Sequence, residues 1–242
     1  MVTEPRDGEV APPAGAPRSS HTLSFALFSL LPAVVVFGLA GDLRWGAGWM
    51  YVGTLWVATV GTRLLILRYT PTLVAERASS VRREDVAPYD RLIMPTIAMF
   101  GPLATWVIAG LSFRWSWLGG IPAAARFAAL ALLVAGSALV TWSMLSNPFF
   151  SAVVRIQHDR GQTPVSKGPY RFVRHPGYLG MLVANLVTPA VLDAPLTLIP
   201  AAIVAVLLVV RTALEDRTLQ AGLPGYADYA RATRARLVPG LW

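Results

Sequence analysis

Six apolar runs, separated by polar or charged segments, form the main pattern of the 242-residue chain. The first four are each long enough to cross a bilayer, which takes roughly 17–25 residues. They are Leu23–Ala40, Trp45–Thr62, Leu92–Phe113 and Phe127–Phe150. Two shorter runs follow, Tyr178–Leu192 and Ala194–Val210, joined by the turn signal Asp193-Ala194-Pro195. The pattern predicts an all-α integral membrane protein with about six transmembrane helices, the last two forming a helical hairpin that spans the bilayer or re-enters it.

Three regions are expected along the chain. Residues 1–20 lack an apolar period and predict a disordered tail. Residues 21–150 form an N-terminal four-helix transmembrane region, in which Pro95 and Pro102 predict kinks in the third run. Residues 151–242 form a C-terminal region that carries the candidate chemistry. The charged, moderately apolar segment Thr70–Pro88 is compatible with an interfacial helix.

Composition and charge support a membrane location. Hydrophobic residues make up 55% of the chain and charged residues only 14%, against about 25% charged residues in soluble domains. Of the 21 lysines and arginines, all but Arg44, Arg114 and Arg126 fall on one side of the predicted spans. The positive-inside rule therefore places both termini in the cytoplasm. The protein is expected in the cell (inner) membrane. The net charge of +8 is interpreted as this topology signal, so no nucleic-acid partner is predicted.

The sequence contains no cysteine, which excludes disulfides, thiolate metal ligands and a cysteine nucleophile. His158 has no second histidine at a ligand spacing, so no metal site is predicted. Trp45, Trp49, Trp115 and Trp117 cluster on the side that is poor in basic residues, as interfacial aromatic residues do.

The polar segment Arg155–Tyr178 leads into the hairpin and contains the candidate site. Pro176 suits the first position of a helix. The N–H groups of such a helix start attract an anion such as a carboxylate, with Arg174 and His175 as flanking donors. The alternative is an ordinary positively flanked membrane helix. Tyr170, in the turn Gly168-Pro169-Tyr170, offers an aromatic face for a base or a cation, or else is an interfacial tyrosine.

Arg211 and Glu215 lie four residues apart, on one face of the last predicted helix. A carboxylate at this place suits ribose hydroxyls or a positive centre. The alternative is an ion pair at the helix end, with Arg211 extending to the interface. Asn185 and Thr188 lie within the fifth run, where they line a pocket or hydrogen-bond a neighbouring helix.

The order of these motifs resembles the isoprenylcysteine carboxyl methyltransferase family and the related phospholipid methyltransferases. It runs over about residues 142–242: Gln157, then QTPV, GPYRFVRHPGYLG, an apolar hairpin, and Arg211 with Glu215. The resemblance implies an integral-membrane methyltransferase that uses S-adenosylmethionine, bound by the loop and the ends of the last helices. It implies cofactor contacts for Gln157, Gln162, Thr163, Pro164, Val165, Tyr170, His175, Pro176, Gly177, Tyr178 and Glu215. The same resemblance implies that Arg211 binds the acceptor carboxylate and that Arg211 and Glu215 are catalytic. The family often has consecutive glutamates where this chain has Glu215-Asp216, so the role of Asp216 stays open.

Methyl transfer from an activated sulfonium needs alignment and exclusion of water more than a strong base. The expected acceptor is a lipid-like or prenylated molecule that enters from the bilayer, with a carboxylate favoured because it needs no deprotonation. Its identity stays open among isoprenylcysteine, phospholipid amines, fatty acids, and isoprenoid or polyketide carboxylates. Two other functions remain: an NADPH-dependent reductase of the sterol or steroid type, and a non-catalytic membrane scaffold.

Overall fold

The described part of the chain, residues 18–80, 86–117 and 119–242 of a computed structural model, is helical and contains no strand. Residues 1–17 of the predicted tail lie outside the described residues. Its last three residues, 18–20, belong to the first helix, which begins at Arg18. The helices are α1 Arg18–Ala40, α2 Gly46–Tyr69, α3 Pro71–Ser80, α4 Asp90–Pro95, α5 Gly101–Arg114, α6 Ala123–Ser146, α7 Pro176–Val191, α8 Leu198–Gly222 and α9 Tyr226–Ala232.

The predicted membrane helices are confirmed. Within the described residues, four helices are long and apolar enough to cross a bilayer: Gly46–Tyr69, Asp90–Arg114, Ala123–Ser146 and Pro195–Gly222. Two shorter apolar stretches, Phe28–Ala40 and Pro176–Val191, accompany them. The chain is therefore a multi-pass membrane protein of the all-α class. The predicted interfacial segment contains α3, which lies between the second and third apolar helices.

The third apolar helix is continuous but irregular. A π-helical turn, Thr96–Phe100, joins α4 to α5, and the N–H of Gly101 donates to the carbonyl of Thr96 five residues earlier. Pro95 and Pro102, the residues that predict kinks here, flank this turn. Since a proline has no N–H to give to the carbonyl four residues back, a wider turn is a way for the helix to pass it.

One end of the bundle carries the predicted tryptophan cluster, and we call it the tryptophan end. It contains the loops that join α1 to α2, α5 to α6, and α7 to α8. Trp45 stacks on Phe113 with ring centroids 4.6 Å apart, and Trp115 lies 5.0 Å from Trp117. Asp193 has a positive φ in the predicted hairpin turn and accepts a hydrogen bond from the N–H of Ile121. The opposite end, which we call the loop end, contains α3, the α6–α7 loop, α9 and the C-terminal tail.

The last long helix extends beyond its apolar run. The run ends at Val210, whereas α8 continues for another three turns to Gly222 and contains both Arg211 and Glu215, as expected from the sequence. The added segment contains charged side chains that are buried inside the protein: Arg211 is 5% exposed and Asp216 is fully buried. The helix continues because these charges find partners in the loop end, which hydropathy alone does not register.

Asp216 is the centre of a buried polar cluster. Arg174, which precedes α7, donates two hydrogen bonds to this carboxylate, of 2.8 and 2.9 Å. Further donors are Arg236 at 2.9 Å, Gln220 at 2.8 Å and the Tyr226 hydroxyl at 3.0 Å. Charge-assisted bonds of this kind offset the cost of burying a carboxylate. The cluster therefore joins α8, α9, the start of α7 and the C-terminal tail.

Helices α6 and α7 approach each other closely through two glycines. A Cβ atom on Gly180 would lie 2.5 Å from the carbonyl oxygen of Gly136, and one on Gly136 would lie 2.7 Å from that of Gly180. Small residues at such crossings allow membrane helices to pack backbone to backbone. This contact fixes the position of α7, whose first residues border the loop end.

We predict that Gly180→Ala lowers the thermal stability of the purified protein, because the added methyl group forces the two backbones apart. The expected loss is about 1–3 kcal/mol, the usual cost of overpacking. The measurement is thermal unfolding in detergent. Gly53→Ala on α2 is the matched control, since no atom lies within 4 Å of its added Cβ. Equal melting temperatures for both variants would contradict the close contact.

We also predict that Asp216→Asn is strongly destabilising, by about 3–5 kcal/mol, because it leaves the buried Arg174 and the partly buried Arg236 without their counter-charge. Asp228→Asn on α9 serves as the control, since Asp228 pairs with Arg231 at the exposed surface. Chemical or thermal unfolding of both variants measures the difference. A melting temperature for Asp216→Asn within a degree or two of the wild type would refute the anchoring role of Asp216.

Candidate functional site

A narrow cleft opens at the loop end, between the α6–α7 loop, the start of α7, the last part of α8, and α9. Its volume is about 90 Å³. Ten of the twelve predicted site residues line it: Gln157, Gln162, Thr163, Pro164, Val165, Tyr170, His175, Gly177, Tyr178 and Glu215. The two that do not are Pro176 and Arg211. Side chains that are up to 58 residues apart in the sequence thus meet around one space.

The start of α7 forms one side of the cleft. Pro176 is the first residue of the helix and His175 caps it with a non-helical backbone, as the sequence predicts. Two backbone hydrogen bonds fix this segment to the C-terminal tail, from Arg174 to Ala235 (2.9 Å) and from His175 to Arg236 (3.0 Å). The tail therefore holds the helix start in place from behind.

Glu215 faces the cleft, while its neighbour Asp216 is turned into the buried cluster. The Tyr178 hydroxyl donates a hydrogen bond to Glu215. The ring of Tyr178 lies parallel to that of His175, with centroids 5.7 Å apart. The Nε2 atom of His175 lies 3.4 Å from the Asp216 carboxylate. A carboxylate, a phenol and an imidazole thus form one continuous polar wall.

Aromatic side chains form a second wall. Gly168 has a positive φ, which allows the turn that presents Tyr170. The Tyr170 hydroxyl accepts a hydrogen bond from Asn147, and its carbonyl accepts one from the Tyr229 hydroxyl at 2.7 Å. Burial raises the pKa of Tyr170, Tyr226 and Tyr229 above their ordinary value near 10. These phenols therefore stay protonated and neutral around the cleft at physiological pH.

The two predicted glutamines stabilise the loop itself. Gln157 is 1% exposed and donates from its side chain to the carbonyl of Phe149 at 2.7 Å. Its backbone N–H donates to the side-chain oxygen of Gln162 at 2.7 Å, and its side-chain oxygen accepts a bond from Arg160. Both residues line the cleft, and their polar side-chain atoms form hydrogen bonds within the α6–α7 loop.

Arg211 has a partner other than the predicted ones. Its guanidinium donates to both oxygens of Asp90, at 2.7 and 2.9 Å, and to the carbonyl of Ala152 at 2.9 Å. It lies over the ring of Tyr178, 5.1 Å from the centroid. The sequence offered an ion pair between Arg211 and Glu215 as an alternative, whereas the structure pairs Arg211 with Asp90.

Several residues of the site region were missed by sequence reasoning. Asp90 is fully buried and also accepts the N–H of Val154 at 2.7 Å. Glu76 on α3 pairs with Arg155 in the loop at 3.0 Å, both side chains being almost inaccessible. Tyr226 and Tyr229 line the cleft from α9. An acid at the start of an apolar run was an available signal for Asp90, but nothing in the sequence named its partner 121 residues away.

Residues 129–221 match the family model of the isoprenylcysteine carboxyl methyltransferase (ICMT) family. The matched range runs from α6 to the end of α8, and it includes all twelve predicted site residues. No curated protein matches the chain. The match agrees with the resemblance carried by the sequence motifs, and it includes the segments that form most of the cleft. Over these residues the chain is similar to the isoprenylcysteine carboxyl methyltransferase family, whose name describes a methyltransferase.

Proposed function

We propose that the protein is an S-adenosylmethionine-dependent methyltransferase that methylates a lipid-like or prenylated acceptor, with a carboxylate favoured. The observation that carries the proposal is the convergence of ten predicted cofactor residues on one cleft at the end of the bundle. In this proposal the loop end, with residues 151–242 as the catalytic region, faces the cytoplasm, as do both termini. The asymmetry of the basic residues supports that orientation.

The side chains around the cleft suit a cationic nucleoside. The start of α7, with His175 beside it, suits the methionyl carboxylate. Glu215 suits ribose hydroxyls. On binding, the hydrogen bond that it accepts from Tyr178 would be replaced by hydrogen bonds from the ribose. Tyr170 offers an aromatic face for adenine or the sulfonium. The cleft is smaller than the roughly 300–1,000 Å³ usual for ligand sites, so we expect binding to widen it by movement of the α6–α7 loop.

Asp216 and Glu215 already accept hydrogen bonds inside the protein, and this favours an acceptor that needs no base. S-adenosylmethionine supplies an already activated methyl group when bound. The carboxylate of Asp216 accepts bonds from two arginines, Gln220 and Tyr226, and Glu215 accepts the bond from Tyr178. An amine or phenol acceptor would require one of these groups to take a proton. A carboxylate acceptor requires only alignment in a water-poor site. The contact of Arg211 with the acceptor stays a prediction.

We predict that purified protein in detergent binds methyl-labelled S-adenosylmethionine and that Glu215→Gln weakens this binding about tenfold or more. The reason is the loss of a charged hydrogen-bond acceptor, worth about 1.5–3 kcal/mol. Asp228→Asn, which removes an exposed acid outside the cleft, is the matched control and should leave the affinity unchanged. Unaltered affinity in Glu215→Gln would contradict the assignment of this carboxylate.

The same preparation separates the competing functions. Incubation with labelled cofactor and total membrane lipids should yield a labelled, lipid-extractable product that releases its label as methanol on mild alkaline hydrolysis, as a methyl ester does. Binding of NADPH in place of S-adenosylmethionine would indicate a reductase. Binding of neither would indicate a scaffold. Methylation confined to water-soluble acceptors would refute the lipid-like substrate.

A further inference from the structure

A pocket opens at the tryptophan end, opposite the end that carries the cleft. The ends of four helices form it: the start of α2, the end of α5, the first turn of α6 and the residues that follow α7. Its volume is about 500 Å³, within the range of about 300–1,000 Å³ that is typical of ligand sites. The pocket is therefore large enough for a small molecule or the headgroup of a lipid.

Arginine is concentrated in this pocket. The sequence places only three of its 21 basic residues at the tryptophan end, Arg44, Arg114 and Arg126. Two of these three, Arg44 and Arg126, line the pocket, together with one acid, Asp193. Topology gives no reason for basic residues on the side of a membrane protein that is poor in them. A local role in the pocket is the reason that the structure offers for this pair.

Arg126 is incompletely paired. Its Nε atom is buried and has no hydrogen-bond partner. The carboxylate of Asp193 lies 3.9 Å from its Nη1 atom, which is longer than a hydrogen bond. That carboxylate instead accepts the N–H of Ile121 at 2.8 Å, and so holds the α5–α6 loop against the hairpin turn. Because a guanidinium that is only partly solvated gains from a close anion, an anion in the pocket would be stabilised by Arg126.

The second arginine lies at the rim of the pocket. The side chain of Arg44 is 92% exposed, and its backbone N–H and its Nε atom donate to Asp42 at 2.8 and 3.3 Å. Gly46 and Ala47, the first residues of α2, also line the pocket, and this helix start has no side-chain cap. The N–H groups of a helix start favour an anion. They add to the attraction that the two arginines exert.

Aromatic rings place the pocket at the level of the lipid headgroups. Trp45, which lines it, stacks on Phe113, which also lines it, with centroids 4.6 Å apart. Trp49 and Trp115, at the same end of the bundle, are about half exposed. Tryptophan concentrates at the boundary between hydrocarbon and water. The phosphate of a phospholipid is an anion that lies at this level and reaches the pocket from the bilayer.

We propose that this pocket binds the phosphate group of an anionic phospholipid from the leaflet at the tryptophan end, with Arg126 as the main donor and Arg44 as the second. The stacked rings of Trp45 and Phe113 form the apolar wall beside the headgroup. A lipid in this position joins α2, α5, α6 and the hairpin turn, because each of them contributes to the pocket. The site is separate from the proposed methyl transfer, whose cleft lies at the opposite end.

The first experiment measures binding of three probes to the purified full-length protein in nonionic detergent, by native mass spectrometry: dioctanoyl phosphatidylglycerol, dioctanoyl phosphatidylcholine and inorganic phosphate. Anionic lipid also gathers at the basic loop end, so the measured quantity is the difference between variants. Arg126→Gln should weaken the binding of one phosphatidylglycerol molecule about tenfold, and Arg126→Lys, which keeps the charge, should weaken it less.

Arg114→Gln is the matched control, because it removes an exposed arginine of the same end that does not line the pocket. It should leave phosphatidylglycerol binding unchanged. Equal losses in Arg126→Gln and Arg114→Gln would overturn the site. An equal effect of Arg126→Gln on phosphatidylcholine would overturn the preference for an anionic lipid. Binding of inorganic phosphate as tight as that of phosphatidylglycerol would overturn the assignment of the occupant as a lipid.

The second experiment fills the pocket without a change of charge, and it decides the question if Arg126→Gln fails to fold. Gly46 lines the pocket, and a Cβ on it would have no atom within 4 Å. Gly46→Leu should therefore fold and weaken the binding of the same phosphatidylglycerol molecule about tenfold. Gly53→Leu on α2 is the matched control, since its Cβ is equally unobstructed and it does not line the pocket. Phosphatidylglycerol binding that is as tight in Gly46→Leu as in Gly53→Leu would refute the site.

Discussion

The buried carboxylate of Asp216 holds the loop end together, and the geometry of the cleft depends on it. Its pair with Arg174 fixes the residue that precedes the α7 cap, and its pair with Arg236 fixes the C-terminal tail that supports the same cap. Consecutive residues on a helix point about 100° apart. Once Asp216 is directed into this cluster, Glu215 is directed toward the cleft. A single anchored residue thus determines where the neighbouring acid is available to a ligand.

Two further buried ion pairs attach the N-terminal part of the chain to the same end. Asp90 at the start of α4 holds Arg211 of α8 and the N–H of Val154, and Glu76 of α3 holds Arg155. Asp90 and Glu76 precede the residues that match the family, and Tyr226, Tyr229 and Arg236 follow them. The matched segment therefore contains the predicted site residues, while the flanking parts of the chain supply the charges and aromatic rings that hold them in position.

The sequence predicted the helices well because a membrane span requires a continuous apolar run, such as Phe127–Phe150 for α6. The family resemblance named ten residues that line the cleft, and nine of them lie in one polar segment, with Glu215 as the tenth. Sequence reasoning failed where the structure depends on long-range pairing. The apolar run of α8 ends at Val210, and a hydropathy pattern does not show that Arg211 and Asp216, beyond it, find partners 121 and 42 residues away. Asn185 has both of the roles considered from the sequence, since it donates a hydrogen bond to Ala201 of the neighbouring helix and lines a cavity inside the bundle. Only the packed helices show that the two roles occur together.

We propose one binding site for the methyl donor, the cleft formed by residues 157–178 with Glu215 and the tyrosines of α9. Ultraviolet crosslinking of tritiated S-adenosylmethionine to the purified protein, followed by peptide mapping of the label, tests it most directly. We expect label in peptides from residues 157–178 or from the segment that contains Glu215, Tyr226 and Tyr229. Label confined to helices α1–α5, or labelling that excess unlabelled cofactor does not suppress, would contradict it.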